Sequence, residues 1–325
     1  MKIVFFGTPS FASIILEYLV EKNIEITAVV TNVDKKSGRG KKINQSPVKI
    51  IANKYNLLVL QPTNLKDPAF TSKLNEINAD LFVVVAFRML PYVVWKIPSK
   101  GTINLHTSLL PKYRGAAPIN WVIINGEKTT GLTTFFIDDK IDCGKIILQK
   151  EVNILDYYTA AILHNLLIDQ GKILLEKTIN NIFNNKLNLI VQESNLELPI
   201  ARKLTKELFK INWDKTAEEI NNLVKGLSPL LEDNTVLKDN SIFPGAWFFL
   251  EDSHQNKKRV KIYKCAVVKS TSNELLKIST DNNTFMNINT KKDEISVLEL
   301  QVEGKKSMNI EQFLKGYNLT NCKIL

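Results

Sequence analysis

The opening of the chain constrains its fold more than any other stretch. Lys2 to Phe6 (KIVFF) is a near-continuous apolar run, closed by a tight turn at Gly7-Thr8-Pro9-Ser10. Helical spacing follows through Phe11, Ile14, Ile15, Tyr18 and Leu19, and a second apolar run spans Glu25 to Thr31 (EITAVVT). A strand without alternation is buried on both faces. Strand, helix and strand in that order form a βαβ unit, which predicts a parallel sheet with helices packed on it. Asp80 to Ala86 (DLFVVVA) is the most apolar run and predicts a central strand. The first turn lacks the second and third glycines of G-x-G-x-x-G, so no dinucleotide fingerprint is present.

The pattern continues with helices from Pro47 to about Asn56, from Asp67-Pro68 onward, from Ala117 to Asn125 and from Thr159 to Phe183. Strands are predicted at Leu57–Leu60, 101–105, Leu132–Ile137 and Lys145–Leu148. Asn184 to Lys203 is polar and irregular and reads as a linker. A helix at Lys215–Lys225 precedes five short alternating segments: Ala246–Leu250, Arg259–Val268, Leu275–Ser279, Phe285–Asn289 and Ile295–Leu300. Five such strands in close succession predict a small barrel, and a last helix covers Ile310 to Lys315. At 325 residues the chain is long enough for two domains, here 1–184 and 206–325 with a linker at 185–205.

The formal charge is +10, to which a Lys- and Asn-rich coding bias contributes. Its distribution says more. Between Thr31 and Lys54 stand Lys35, Lys36, Arg39, Lys41, Lys42, Lys49 and Lys54 against Asp34 alone. A second run, Lys257, Lys258, Arg259, Lys261, Lys264 and Lys269, contains no acid. Two concentrated basic patches predict a polyanionic partner such as nucleic acid. The polar loop 32–46, with Arg39 between Gly38 and Gly40, reads either as a disordered surface loop or as a mobile basic finger for a phosphate backbone. The apolar part of MKIVFFGTPS is too short for a signal peptide, and no run of about 18 apolar residues occurs, so no membrane is expected. Cys143, Cys265 and Cys322 are too widely spaced for a disulfide framework or a metal site, which predicts a reducing compartment, the cytosol.

Chemistry concentrates in Gly101 to Pro118, GTINLHTSLLPKYRGAAP. Thr102-Ile103-Asn104-Leu105-His106 alternates, so Asn104 and His106 share one face at a strand end. Asp142 returns on the acidic loop Asp138–Gly144, between two predicted strands. His164, on a helical pattern, and His254, in a polar hairpin, read as structural or surface residues. An amide, an imidazole and a carboxylate suit acyl transfer to an amine without a protein nucleophile. Asn104 can donate to a tetrahedral oxyanion. His106 can accept and return the proton, and Asp142 can hold the imidazole or order a water. Ser108 beside His106 offers a rival Ser–His pair. Metal chemistry is the weaker reading, because neither H-E-x-x-H nor paired-Cys spacing occurs.

Asn104-x-His106 followed by SLLPKYRGAAPI, and then Ile141-Asp142-Cys143-Gly144, resembles the 10-formyltetrahydrofolate-dependent formyltransferases. The likeness extends over nearly the whole chain. IVFFGTPSFA, DKKSGRGKKI, SPVK, Lys203-Leu204-Thr205-Lys206, Phe243-Pro244-Gly245-Ala246-Trp247 and LQVEGKKSM resemble the branch whose acceptor is initiator Met-tRNA. The resemblance implies a Rossmann-like, mostly parallel catalytic domain and a C-terminal OB-like β-barrel that contacts tRNA. It implies transfer of the formyl group of 10-formyltetrahydrofolate, a cosubstrate, to the methionine amine, without a metal. Asn104, His106 and Asp142 match the family's catalytic trio. Ser108, Leu109, Leu110 and Pro111, with Phe87, Arg88, Met89, Leu90 and Asp138, match its folate-site segments. Arg39 matches the tip of its tRNA-probing loop, which makes Lys35, Lys36, Lys41, Lys42 and the barrel residues Lys257, Lys258 and Arg259 expected tRNA contacts. The family also implies a monomer in a bacterial cytoplasm. Two departures stand out. The family's A-Y-G-x-I-L-P is here Ala86-Phe87-Arg88-Met89-Leu90-Pro91, one residue shorter, and Leu230 to Ile242 is inserted before Phe243. A small acceptor, glycinamide ribonucleotide or an amino sugar nucleotide, is the alternative within this chemistry. A catalytically silent tRNA-binding protein is the alternative outside it.

Overall fold

The computed structural model describes residues 2–37, 42–193, 197–237, 242–270 and 274–325. The chain forms two compact units, interleaved in sequence. One comprises Met1–Gly115, Thr130–Val152 and Asn165–Ile200; the other comprises Ala116–Thr129, Asn153–His164 and Ala201–Leu325. In chain order the elements up to the end of the first unit are β1 (Ile3–Gly7), α1 (Ser10–Glu21), β2 (Ile26–Val30), β3 (Lys35–Ser37), β4 (Lys42–Asn44), α2 (Pro47–Lys54), β5 (Leu58–Leu60), α3 (Pro68–Ile77), β6 (Leu81–Val85), α4 (Tyr92–Trp95), β7 (Thr102–His106), β8 (Arg114–Gly115), α5 (Pro118–Ile124), β9 (Thr129–Phe136), β10 (Ile146–Asn153), α6 (Ala160–Phe183) and β11 (Ile200–Ala201).

The first unit is built on a seven-stranded sheet of order β10-β9-β7-β6-β1-β2-β5. The pairs β1–β2, β1–β6, β2–β5 and β6–β7 are parallel, and β7–β9 is antiparallel. Burial on both faces explains the unbroken apolar runs: every residue of β1 and β6 is buried. On one face Val4, Phe6, Phe82 and Val84 pack with Phe70 and Leu74 of α3. On the other, α6 approaches the sheet so closely that a Cβ at Gly171 would stand 3.2 Å from Leu105 and 3.7 Å from Ile15. Removing one fully buried aromatic such as Phe82 is worth about 3–5 kcal/mol. The chain builds outward from β1 through β2 to β5 and then resumes on the opposite side with β6 and β7. In open α/β sheets ligands bind beyond the carboxyl ends of the strands; the order reverses between β1 and β6, and β7, the neighbour of β6, ends at the same edge on His106.

Segment 32–46, predicted as an unstructured loop, contains the antiparallel pair β3–β4, with Lys35 opposite Asn44 and Ser37 opposite Lys42. Ile43 is the one apolar residue in its two three-residue strands, so no pattern announces them. Its base is held by tertiary contacts: Lys49 Nζ donates to Asp34 and to Gln61, both at 2.7 Å, and Gln61 Nε2 donates to Asp34 at 2.8 Å. Arg39 and Lys41 lie outside the described residues, as do the side chains of Lys35, Lys36 and Lys42.

The second unit adds α7 (Ala217–Leu227), β12 (Ala246–Glu251), β13 (Lys257–Val268), β14 (Ile278–Thr280), β15 (Met286–Asn289), β16 (Glu294–Val302), β17 (Ser307–Asn309), α8 (Ile310–Leu314) and β18 (Lys323–Ile324). The strands form a barrel-like antiparallel sheet of order β14-β15-β16-β13-β12-β18, with β17 on β16. β17 and β18 go beyond the five predicted strands and are too short to show a period. The predicted strand at Leu275 starts later because Leu276 takes φ 65. Helix α7 starts at Ala217 rather than Lys215, behind a capping box in which Thr216 and Glu219 satisfy each other's backbone N–H groups. Its core gathers Ile220 and Val224 with Phe248, Ile262, Ile295 and Phe313. The inserted segment makes a small turn, with Leu231 N–H donating to Thr235 O at 2.8 Å and Asn234 at φ 61; residues 238–241 lie outside the described residues. Among the described residues no helix is long and apolar enough to cross a membrane, and no cluster of His, Cys, Asp or Glu could hold a metal ion.

Candidate active site

His106 lies at the end of β7, opposite Thr133 of β9, and is 6% exposed. Its Nε2 lies 2.9 Å from the Tyr113 carbonyl. A carbonyl only accepts, so Nε2 carries the proton. That leaves Nδ1 as the ring atom for proton exchange, and Nδ1 faces Asp142 Oδ2 at 3.9 Å. This is ion-pair distance and too long for a direct hydrogen bond. A proton on Nδ1 is electrostatically held by the carboxylate; without one, two acceptors face each other. Asn104 is half-buried on the same face of β7, between Val84 and Phe135. Among the described residues no hydrogen bond to its side-chain amide is made, so its N–H donors are uncommitted.

Asp142 reaches this strand end on the loop between β9 and β10, with its backbone at φ 53. Gly115 N–H donates to Oδ2 at 2.9 Å. The Asp142 carbonyl accepts from Arg114 Nε at 3.1 Å and from Gln192 Nε2 at 3.0 Å. Gly144, two residues on, admits no side chain: a Cβ there would stand 1.7 Å from the Phe136 carbonyl oxygen. Arg114 provides only charge in a loop by sequence, and Gln192 falls within the polar stretch 184–203. No sequence signal links either of them to Asp142.

The loop after β7 is braced from β9. Thr133 Oγ1 donates to Ser108 O at 2.7 Å, accepts from Leu110 N–H at 3.1 Å and accepts from Gln149 Nε2 at 3.0 Å. Gln149 Nε2 also donates to Leu110 O at 2.8 Å. Ser108 is fully buried, and its hydroxyl donates to Lys112 O at 2.7 Å. With both ring nitrogens of His106 turned to Tyr113 O and Asp142, and the Ser108 proton on Lys112 O, no Ser–His dyad exists here. Leu110 packs with Phe135 and Ile146, and the Leu110–Pro111 peptide is cis.

The other sequence-expected residues distribute as follows. Phe87 packs against Phe6, with ring centroids 5.8 Å apart. Arg88 lies over Phe87 at 5.6 Å and donates to the carbonyls of Pro62 and Thr63, so its guanidinium is committed to the protein. Met89 is 71% exposed and Leu90 is buried. Leu109 and Pro111 are half-buried. Asp138 caps its own loop by accepting from Lys140 N–H at 2.9 Å, and it lines a cavity of about 330 Å³ with Arg114, Asp139, Lys140, Cys143 and Gln192. On the barrel, Lys257 pairs with Glu251 at 3.5 Å and Arg259 with Glu303 at 3.1 Å, while Lys258 lies 4.9 Å over the Tyr317 ring. The acid-free run in sequence therefore meets acids from β12 and from the turn after β16. Lys49 and Lys54 are likewise neutralised by Asp34 and Glu17. His164 is buried edge-on against Phe243, and His254 is exposed.

A doubly wound sheet ending in an amide, an imidazole and a carboxylate defines a class, and the comparisons with known proteins agree with it. Residues 1–179 match the formyl transferase family model, and residues 203–318 match the formyl transferase C-terminal domain. The chain belongs to the formyl transferase family. Among its curated relatives is the methionyl-tRNA formyltransferase of Flavobacterium johnsoniae, 44% identical over 99% of this chain and 98% of the relative. The methionyl-tRNA formyltransferase of Azobacteroides pseudotrichonymphae is 44% identical over 97% and 95% of the two chains. That of Bacteroides thetaiotaomicron is 40% identical over 99% and 97%. Among solved structures, a sugar 3N-formyl transferase superposes with a TM-score of 0.61 at 21% identity, covering 94% of this chain and 99% of that one. A Helicobacter canadensis N-formyltransferase gives 0.62 at 22%, covering 91% and 98%. These two likenesses describe the fold.

Proposed function

We propose that this chain transfers the formyl group of 10-formyltetrahydrofolate to the α-amino group of methionine on initiator Met-tRNA. The observation that carries this reading is likeness to methionyl-tRNA formyltransferases at 40–44% identity over nearly its full length. The strand-end chemistry supports it. Asn104 donates its amide N–H to the oxyanion that forms as the amine attacks the formyl carbon. His106 takes the amine proton on Nδ1, the nitrogen turned to Asp142, and returns a proton to the departing folate nitrogen as its bond to the formyl carbon breaks. Asp142 stabilises the imidazolium between these two steps. The buried wall of Leu110 and Phe135 beside the site limits access of water to the reacting amine. Residues 1–184 carry the transfer. Residues 206–325 supply tRNA contacts through Lys257, Lys258 and Arg259, while Arg39 with Lys35, Lys36, Lys41 and Lys42 addresses the acceptor stem. The chain acts as a monomer in the bacterial cytoplasm.

The test is a competition. Purified protein receives 10-formyltetrahydrofolate together with initiator Met-tRNA and an amino sugar nucleotide. Formylation of the tRNA alone is expected, lost in His106→Ala. Formylation of the sugar, or an active His106→Ala, would remove the acceptor or the acid–base assignment respectively. Arg39→Ala should lower kcat/KM for tRNA and flatten its salt dependence.

A further inference from the structure

The backbone of Asp142 is held by two side chains from distant parts of the chain. At φ 53 it occupies the left-handed region, which L-residues adopt at a cost that is smallest for Asn and Asp. Its carbonyl oxygen accepts from both Arg114 Nε, 3.1 Å, and Gln192 Nε2, 3.0 Å. The two donors lock each other: Gln192 Oε1 accepts from Arg114 Nε at 3.1 Å and from its terminal nitrogen at 2.6 Å. Gln192 Nε2 also donates to Gly144 O at 2.8 Å, so one amide holds the peptides at 142 and 144 together. Gln192 is 8% exposed, and its segment is anchored nearby by the reciprocal backbone bonds of Ile146 and Ile190 at 2.8 and 3.0 Å. Both donors bind the backbone carbonyl, while the carboxylate is left to Gly115 N–H and to His106.

We infer that Arg114 and Gln192 are positioning residues for formyl transfer: locked together, they hold Asp142 in its left-handed conformation and so aim its carboxylate at Nδ1 of His106. The inference rests on the reading of Asp142 as the partner of His106. The polar segment after α6 thereby contributes to the catalytic apparatus through a single buried amide. A side chain that acts through geometry should change turnover more than binding, because a displacement of about 1 Å at a reacting group costs on the order of a hundredfold in rate.

Gln192→Leu removes the acceptor and both donations at little change in volume. In the full-length protein, assayed with 10-formyltetrahydrofolate and initiator Met-tRNA, kcat should fall on the order of a hundredfold while KM for both substrates changes little. In an Asp142→Ala background the same substitution should cost nothing further, since no carboxylate remains to be aimed. Arg114→Lys keeps the charge but loses the planar fork, and it should reproduce the pattern. Thermal unfolding followed by circular dichroism checks that each variant is folded; if Gln192→Leu is not, Arg114→Lys carries the decision. Undiminished kcat, a rise in KM without loss of kcat, or a loss that persists undiminished beside Asp142→Ala would overturn the inference. An Asp142→Ala enzyme as active as wild type would instead sink the role of Asp142 itself.

Discussion

The hydroxyl of Thr133 ties the loop after β7 to the sheet, and removing it leaves two buried backbone groups without a partner. Thr133 is fully buried, and its Oγ1 makes three hydrogen bonds, to Ser108 O, from Leu110 N–H and from Gln149 Nε2. Valine has the same shape without the oxygen, so Thr133→Val creates no cavity. Gln149 is exposed and regains water. Ser108 and Leu110 are 0% and 3% exposed, and their backbone groups do not regain it. Each buried polar group left without a partner costs about 1–3 kcal/mol, so the pair costs about 2–6 kcal/mol. Thr133→Ser keeps the oxygen and loses one methyl, worth about 1 kcal/mol. Urea unfolding of the three proteins should therefore rank wild type above Ser above Val. Turnover should follow the same order, because Ser108 to Tyr113 carries the carbonyl that fixes the His106 tautomer. A valine variant as stable as the serine variant would refute this reasoning: the oxygen would then contribute no more than a methyl group.

Asn104→Ala should lower kcat by about a hundred- to a thousandfold with folding intact, and steady-state kinetics showing a change confined to KM would contradict it. Gly144→Ala must displace either the Asp142 loop or the Phe136 carbonyl, since its Cβ would stand 1.7 Å from that oxygen. A lower melting temperature and lost turnover are expected, the overpacking alone costing about 1–3 kcal/mol. Glu219 is pulled down to about 2, chiefly by the Thr216 backbone N–H and then by Lys215 and the Thr216 hydroxyl. A lowered carboxylate contributes stability above the ordinary glutamate range and loses it as the pH falls toward that lowered value. Melting temperature should therefore drop more steeply on acidification in wild type than in Glu219→Gln, and parallel curves would argue against the capping role. Thr216→Ala should cost about 1 kcal/mol at neutral pH by removing the cap.

Much of the architecture is legible in the order of residues. Burial on both faces leaves unbroken apolar runs in β1 and β6, and burial on one face leaves alternation at Val260-Lys261-Ile262 of β13 and Leu300-Gln301-Val302 of β16, so the doubly wound sheet and the barrel can each be predicted. The period of two along β7 also brings Asn104 and His106 to one face. Local pattern is silent where an element is polar or very short, as in the β3–β4 pair and in β17 and β18.

The sequence by itself determined which segments form the longer strands and helices and that an amide and an imidazole share one face at the end of β7, because periodicity and turn chemistry are local. Only the tertiary structure decided how those groups address one another. Nε2 of His106 is committed to Tyr113 O, which leaves Nδ1 to Asp142, and the Asp142 carbonyl accepts from a glutamine fifty positions away along the chain. It also decided that Glu251 and Glu303 stand beside Lys257 and Arg259, which sequence neighbours alone would leave unopposed. The physical reason is the same in each case. Hydrogen bonds and ion pairs act over a few ångströms in space, and strand pairing sets which residues come that close whatever their separation in sequence.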